Sequence, residues 1–153
     1  MSDVEVRATT PGDLIVLADV LVEVYQADGY PVEGVDNPRA WLQLSDPVGQ
    51  WTALIDGQPV GHVALLRPGP EDQAPRLLVD YGVPLSEMAV LGRLFVDPDA
   101  RGKSVARKLL ATAENAAIDG SLVPVLEVLD KDAAAILIYE SRGWRRLSEV
   151  QHT

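Results

Sequence analysis

The chain has 153 residues, 47% of them hydrophobic, and a formal net charge of −10. This length suits one domain with its own core, which we expect to run over residues 1–153. The absence of cysteine excludes disulfides and zinc–cysteine sites, and two distant histidines argue against a histidine metal site, so we expect no metal. The acidic balance argues against nucleic acid. It serves solubility, or it steers cationic partners such as amines.

No apolar run approaches the roughly 20 residues that span a bilayer. The N-terminal residues Met1-Ser2-Asp3 also lack the basic and apolar regions of a signal peptide. We therefore expect a cytoplasmic protein that does not associate with membranes.

The chain opens with a strand and two helices. Val4 and Val6 alternate with polar residues, which is typical of a strand, and Thr10 is placed to cap a helix. The apolar face of that helix consists of Leu14, Leu17, Ala18, Leu21, Val22 and Tyr25. Residues 28–34 form a Gly- and Pro-containing loop that includes Tyr30, and a short helix through Pro38, Trp41 and Leu42 follows.

Residues 51–55 and 60–66 are predicted to form an antiparallel hairpin around Asp56-Gly57. His62 lies inside its second strand, where it is either a structural residue or a base near neutral pH. Residues 67–71 then interrupt the sheet, and a short helix is predicted over 74–82, before Pro84.

The next segment carries the strongest functional signal. An apolar strand from Leu91 to Val96 ends near Asp97-Pro98, and a helix with an apolar stripe follows. Basic residues surround the start of that helix, where unpaired N–H groups and the helix dipole already attract anions: Arg101, Lys103, Arg107 and Lys108. The pattern indicates either an anion site or a solvated basic face. Gly102 favours the anion site, because it lets phosphate approach the backbone.

Two common phosphate-binding motifs are excluded. A P-loop ending in Gly102-Lys103-Ser104 would need glycine at position 97, which is Asp97. A dinucleotide fingerprint needs further glycines, and only Gly102 lies between positions 92 and 120.

The C-terminal part is predicted as a strand over 123–129, a helix beginning at Asp132 and a final strand over 144–150. Within that helix, Tyr139 could simply be a core aromatic residue.

Two segments together resemble the GNAT superfamily of acyl-CoA-dependent N-acyltransferases. Residues 101–106, Arg-Gly-Lys-Ser-Val-Ala, are similar to its pyrophosphate-binding pattern [Q/R]-x-x-G-x-[G/A], with Ser104 where glycine is usual. Residues 132–144 are similar to N-x-x-A-x-x-x-Y-x-x-x-G-[F/W]. There Ala135, Tyr139, Gly143 and Trp144 match, and Asp132 replaces asparagine.

This resemblance implies one α/β domain with a central mixed, mostly antiparallel sheet flanked by helices. It implies that acetyl-CoA is the cosubstrate and that a small-molecule or peptide amine attacks its thioester directly, with Tyr139 as general acid. The implied cofactor-binding residues are Leu94, Phe95, Val96, Arg101, Gly102, Lys103, Ser104, Val105, Ala106, Arg107 and Asp132. It also suggests a homodimer.

The base that keeps the amine neutral stays open. Glu87, Asp80, Asp28, His62 and a water chain to solvent are the alternatives. The competing function is a non-catalytic acyl-CoA-binding or regulatory module that retains the phosphate site and transfers nothing.

Overall fold

The computed structural model describes residues 3–28, 37–70, 72–102, 104–128 and 133–145. These ranges contain five strands and five α-helices, and two short 3-10 turns, Leu85–Glu87 and Pro98–Ala100, precede and follow the fourth strand. In chain order the elements are β1 Val4–Ala8, α1 Pro11–Asp28, α2 Pro38–Leu42, β2 Gly49–Ile55, β3 Gln58–Leu66, α3 Gln73–Val79, β4 Met88–Val96, α4 Val105–Asp119, β5 Val123–Val125 and α5 Ala133–Ser141.

The strands form one sheet in the order β1-β2-β3-β4-β5. Neighbouring strands are antiparallel from β1 to β4, and β4 and β5 are the one parallel pair among the described strands. The predicted α/β fold with a mixed, mostly antiparallel sheet is therefore confirmed. No helix within the described ranges is long and apolar enough to cross a membrane.

Helices cover both faces of the sheet. On one face α1 and α2 bury Leu17, Leu21 and Leu42 in a cluster that also contains Phe95 of β4. On the other face the apolar stripe of α4 packs on β2, β3 and β4, with Leu109 fully buried. In β4, Phe95 thus packs in one core while its neighbours Leu94 and Val96 pack against the other, as expected for a sheet covered on both sides.

A reciprocal cap joins the start of α1 to β1. The Thr10 Oγ accepts a hydrogen bond from the Asp13 N–H, and the Asp13 carboxylate accepts one from the Thr10 N–H. That carboxylate also pairs with the Arg7 guanidinium at 2.6 and 3.0 Å. Burial would raise the pKa of Asp13, but the hydrogen bonds from Arg7 and Thr10 outweigh it, so the pKa lies below its ordinary value.

The predicted hairpin is present, and its turn residues Asp56 and Gly57 have φ values of 51° and 80°. Several predicted boundaries were wrong. The fourth strand starts at Met88 rather than Leu91, the third helix spans Gln73–Val79 rather than 74–82, and β5 ends at Val125 rather than 129. Tyr30 and residues 146–150 of the predicted final strand lie outside the described ranges.

Candidate active site

A bulge interrupts the pairing of β3 with β4. His62 pairs with Phe95 and Ala64 pairs with Gly92, so Arg93 and Leu94 together oppose the single residue Val63. We call Arg93 and Leu94 the β4 bulge. The Arg93 backbone adopts φ 55°, a left-handed conformation that non-glycine residues seldom take. Such bulges often lie beside active sites, because they redirect backbone groups.

Among the described residues, no strand pairs with the opposite side of β4 beyond Val90. Pairing with β5 ends at Val90–Val125, and we call this side of β4, along residues 91–96, the open edge. The Asp97 N–H donates to the Val60 oxygen at 2.7 Å, so Asp97 is hydrogen-bonded to β3. In an antiparallel pair, residues along a strand alternate between facing the partner strand with their backbone groups and facing away from it. The backbone groups of Phe95 consequently face β3, whereas those of Val96 face the open edge.

The loop from β4 to α4 leads directly from this edge to a helix start. Gly102 has φ 79°, and a Cβ built on it would have no heavy atom of the described residues within 4 Å, apart from its chain neighbours. Ser104 is also left-handed, with φ 64°, and its side chain makes no capping hydrogen bond at the start of α4. Ser104 therefore leaves the first N–H groups of α4, from Val105 to Arg107, without a cap from its side chain, and such N–H groups suit a phosphate group.

The basic residues at this start differ in placement. Arg101 and Arg107 are exposed, whereas the Lys108 Nζ donates to the Val4 oxygen of β1 at 3.3 Å. Val105 is buried in the core and Ala106 half-buried, so Val105 can contribute to a ligand only through its backbone. Lys103 lies outside the described residues.

The α4 start lies close to β3 because β3 has glycine at position 61. A Cβ on Gly61 would lie 3.0 Å from the Val105 Cγ1, 3.1 Å from the Leu109 Cδ1 and 3.1 Å from the Phe95 oxygen. Only a residue without Cβ lets the helix approach the sheet so closely, which brings the α4 start next to the open edge.

Tyr139 lies on α5 and packs against the same core cluster as Leu94, Val96 and Val105. The structure thus brings Tyr139 to the face of the sheet that α4 covers. Its ring contacts Trp144, with centroids 5.8 Å apart. Asp132, predicted to contact the cofactor, lies outside the described residues.

Glu114 of α4 fixes the end of α5. It accepts hydrogen bonds from the Arg142 guanidinium at 2.6 to 3.1 Å and from the Trp144 Nε1 at 2.7 Å. Burial would raise the pKa of Glu114, but these donors hold it below its ordinary value. Sequence reasoning missed Glu114, because a lone glutamate on a helix face gives no sign of a partner 28 residues away.

The candidate bases are spread over the structure. Glu87 is exposed just before β4, seven residues from Leu94 and thus roughly 20 Å along the strand. Asp80 is exposed beyond α3. Asp28 ends α1, and its side chain is outside the described set. His62 is fully buried, both ring nitrogens are hydrogen-bonded, and burial lowers its pKa to about 4, so it has no lone pair available for an amine.

Trp41 and Arg93 form a further contact that sequence reasoning missed. The Arg93 guanidinium lies 4.4 Å from the Trp41 ring centroid, and its Nε donates to the Trp41 oxygen at 3.2 Å. This contact joins α2 to the β4 bulge. Because the run from Leu91 to Val96 reads as an ordinary strand, nothing in the sequence indicated the bulge that turns Arg93 towards α2.

These features define a domain whose sheet opens along one strand edge beside a helix start suited to phosphate. Within the described residues, no group of three or more metal-ligating side chains lies together.

Comparison with known proteins identifies the family to which such a domain belongs. The model of the acetyltransferase (GNAT) family matches residues 17–144. The chain therefore belongs to the GNAT family of acetyltransferases. No sequence among curated proteins matches it.

Solved structures share the fold at low sequence identity. PH1933 from Pyrococcus horikoshii has a TM-score of 0.73 at 21% identity, covering 97% of this chain and 93% of its own. AAC(6')-Iy, solved with the bisubstrate analogue CoA-S-monomethyl-acetylneamine, has a TM-score of 0.70 at 15% identity, and the match covers 99% of this chain and 97% of AAC(6')-Iy. A GNAT acetyltransferase from Brucella melitensis, in complex with acetyl-CoA, has a TM-score of 0.62 at 20% identity, and the match covers 94% of this chain and 84% of the Brucella protein.

Proposed function

We propose that this protein transfers an acetyl group from acetyl-CoA to a primary amine by direct attack of the amine on the thioester. The observation that carries the proposal is the open edge of β4 beside the uncapped start of α4. Family membership and the ligands named for AAC(6')-Iy and the Brucella protein support it.

The phosphates are assigned to the start of α4. Gly102, Ser104 and the N–H groups of Val105, Ala106 and Arg107 offer hydrogen-bond donors around open space. The exposed side chains of Arg101 and Arg107 add positive charge. Lys103 and Asp132 remain part of the assignment by family resemblance alone.

The pantetheine arm is assigned to the open edge. Val96 presents its N–H and C=O there, and Leu94 contributes from the bulge. The expectation for Phe95 changes, because its backbone faces β3 and its side chain packs with α1 and α2. Phe95 therefore supports this site from the opposite face and does not offer it backbone groups.

The chemistry requires donors at two atoms. Negative charge develops on the thioester oxygen as the amine attacks, and a backbone N–H of β4 can stabilise it. The departing sulfur needs a proton, for which the phenol of Tyr139 is the candidate, since an ordinary phenol stays protonated at neutral pH. His62 is not the base in this proposal. Glu87, Asp80, Asp28 and water remain candidates, which a pH profile of kcat/KM distinguishes.

The test is release of CoA from acetyl-CoA across a panel of small amines, amino acids, polyamines, aminoglycosides and peptide N-termini. The chain contains no cysteine, so a thiol reagent reports CoA alone. Turnover that depends on one acceptor class supports the proposal and identifies the substrate. Calorimetric binding of acetyl-CoA without turnover on any acceptor would instead favour a non-catalytic acyl-CoA-binding module.

A further inference from the structure

The β4 bulge creates a backbone carbonyl that the β-ladder does not use. Arg93 and Leu94 oppose only Val63, so the extra residue has no partner position on β3. A buried carbonyl without a hydrogen bond is costly, and another group must satisfy it. In this structure the donor is a side chain from the neighbouring strand.

His62 supplies that hydrogen bond. Its ring is fully buried, and the Nδ1 lies 2.8 Å from the Arg93 oxygen. A carbonyl only accepts, so the proton must reside on Nδ1, and Nε2 is left as an acceptor. The Gln50 amide donates to Nε2 at 2.8 Å and, with its other hydrogen, to the Leu42 oxygen at 2.9 Å. Each of the three contacts between α2 and β4 therefore joins a donor to an acceptor.

The direction of the Arg93 carbonyl also determines the direction of one N–H. The Arg93 C=O and the Leu94 N–H belong to the same planar trans peptide unit, where they point in opposite directions. His62 lies on the face of the sheet covered by α1 and α2, where its ring stacks on Phe95 at 5.5 Å. Holding the carbonyl towards His62 therefore turns the Leu94 N–H towards the opposite face, where α4 begins and Tyr139 packs.

We propose that His62 and Gln50 are positioning residues for acetyl transfer, which hold the peptide between Arg93 and Leu94 so that the Leu94 N–H meets the thioester oxygen. This inference rests on the proposed function, since it specifies which backbone donor stabilises the developing charge. The contact of Arg93 with Trp41 restrains the same residue through its side chain. Backbone and side chain of Arg93 are thus both tied to α2.

The decisive variant is His62→Phe, which keeps a flat ring against Phe95 and deletes the donor to the Arg93 oxygen. Thr52→Val is the matched control. Thr52 is fully buried and pairs with His62 in the β2–β3 register. Its replacement by valine removes a 2.9 Å hydrogen bond with the Thr9 hydroxyl, which does not involve the bulge. His62→Asn is the rescue variant, because its amide nitrogen can lie near the position of Nδ1.

We expect His62→Phe to lower kcat by about 100-fold, because a misplacement of about 1 Å can cost that much and complete loss of an oxyanion donor costs about 10²–10³-fold. The dissociation constant of CoA, which has no thioester oxygen, should stay within about threefold, because the phosphates bind elsewhere. Thr52→Val should keep kcat within about twofold despite a similar loss of melting temperature, and His62→Asn should recover part of the loss. Wild-type kcat in folded His62→Phe, with chemistry rate-limiting, would refute the inference, as would an equal kcat loss in Thr52→Val.

A measurement without turnover separates this inference from the proposed function. In nitrogen-15 spectra of the wild type, His62 should carry its proton on Nδ1, and the Leu94 amide resonance should move in His62→Phe but not in Thr52→Val. If the wild type released no CoA with any acceptor, the proposed function would fail, and the Leu94 resonance would decide the positioning role alone. An unmoved Leu94 resonance in His62→Phe would overturn that role.

Discussion

Replacing Ser104 with glycine tests the reading of the phosphate site most directly. Ser104 has φ 64° and ψ 21°, is exposed, and makes no capping hydrogen bond. A left-handed backbone costs an L-residue roughly 1–2 kcal/mol, whereas the added freedom of glycine in the unfolded chain costs about 0.4–1 kcal/mol. We therefore expect Ser104→Gly to raise the free energy of unfolding by about 0.5–1 kcal/mol, or about 2–4 °C in Tm at the upper end.

The chain offers a matched control for this substitution. Ser121 has φ 57°, is also exposed, and follows the other end of α4. Ser121→Gly should give a similar stability gain in urea unfolding. Only Ser104→Gly should tighten CoA binding in calorimetric titration, by a few-fold, because it removes a Cβ where phosphate is proposed to meet the backbone.

Two results would refute this reasoning. Lower stability in Ser104→Gly beside higher stability in Ser121→Gly would show that the Ser104 hydroxyl stabilises the folded protein. Weaker CoA binding in Ser104→Gly would show that the hydroxyl donates to the ligand.

Three further predictions concern turnover, acid stability and packing. Tyr139→Phe should lower kcat by about 10²–10⁴-fold with little change in acetyl-CoA affinity. Tyr81, which is 71% exposed, provides the control, and Tyr81→Phe should leave kcat unchanged. Equal kcat values in the two variants would show that Tyr139 serves packing only. The pKa of His62 falls from 6.5 to about 4 on folding, so between these two pH values the unfolded chain takes up this proton and the folded chain does not. Stability should fall by about 2 kcal/mol from pH 6.5 to 5, and His62→Asn should remove that component of urea unfolding curves. Gly61→Ala should cost roughly 1–3 kcal/mol by overpacking α4, whereas Gly92→Ala, whose Cβ would lie 3.5 Å from its nearest neighbour, should cost less in the same assay.

Local patterns predicted most of the fold. The Asp56-Gly57 turn, the Thr10 cap and the apolar stripe of α4 each depend on neighbouring residues in the chain, and each appears as expected. The extent of β5 depends instead on how far its partner strand stays alongside, and that pairing stops at Val125. Leu126 and Val128 continue the apolar pattern but lie outside the strand.

The candidate site was predictable only where it follows a motif. Residues 101–107 stood out by charge and spacing, but the left-handed residue in β4 is Arg93 rather than the neighbouring Gly92. Glycine is the residue that most readily takes positive φ, so residue type gives no sign of this conformation at Arg93. The conformation of Arg93 depends on contacts from His62 and Trp41, which lie 31 and 52 residues earlier in the chain. Helix propensity alone would predict that Ser104→Gly lowers stability, because glycine is a poor helix former. In the structure Ser104 precedes α4 and has a left-handed backbone, so that penalty does not apply.

The open edge of β4 also bears on how the protein behaves before it meets a ligand. A strand edge with unpaired N–H and C=O groups is a template on which a second chain can add a strand, and this is a common route to aggregation. Acetyl-CoA bound there as proposed would occupy those groups and stabilise the fold by RT ln(1 + [L]/Kd), about 2.7 kcal/mol at a hundredfold excess over Kd. Supply of the cosubstrate would then control solubility as well as turnover, and protein purified without it should self-associate more readily at equal concentration.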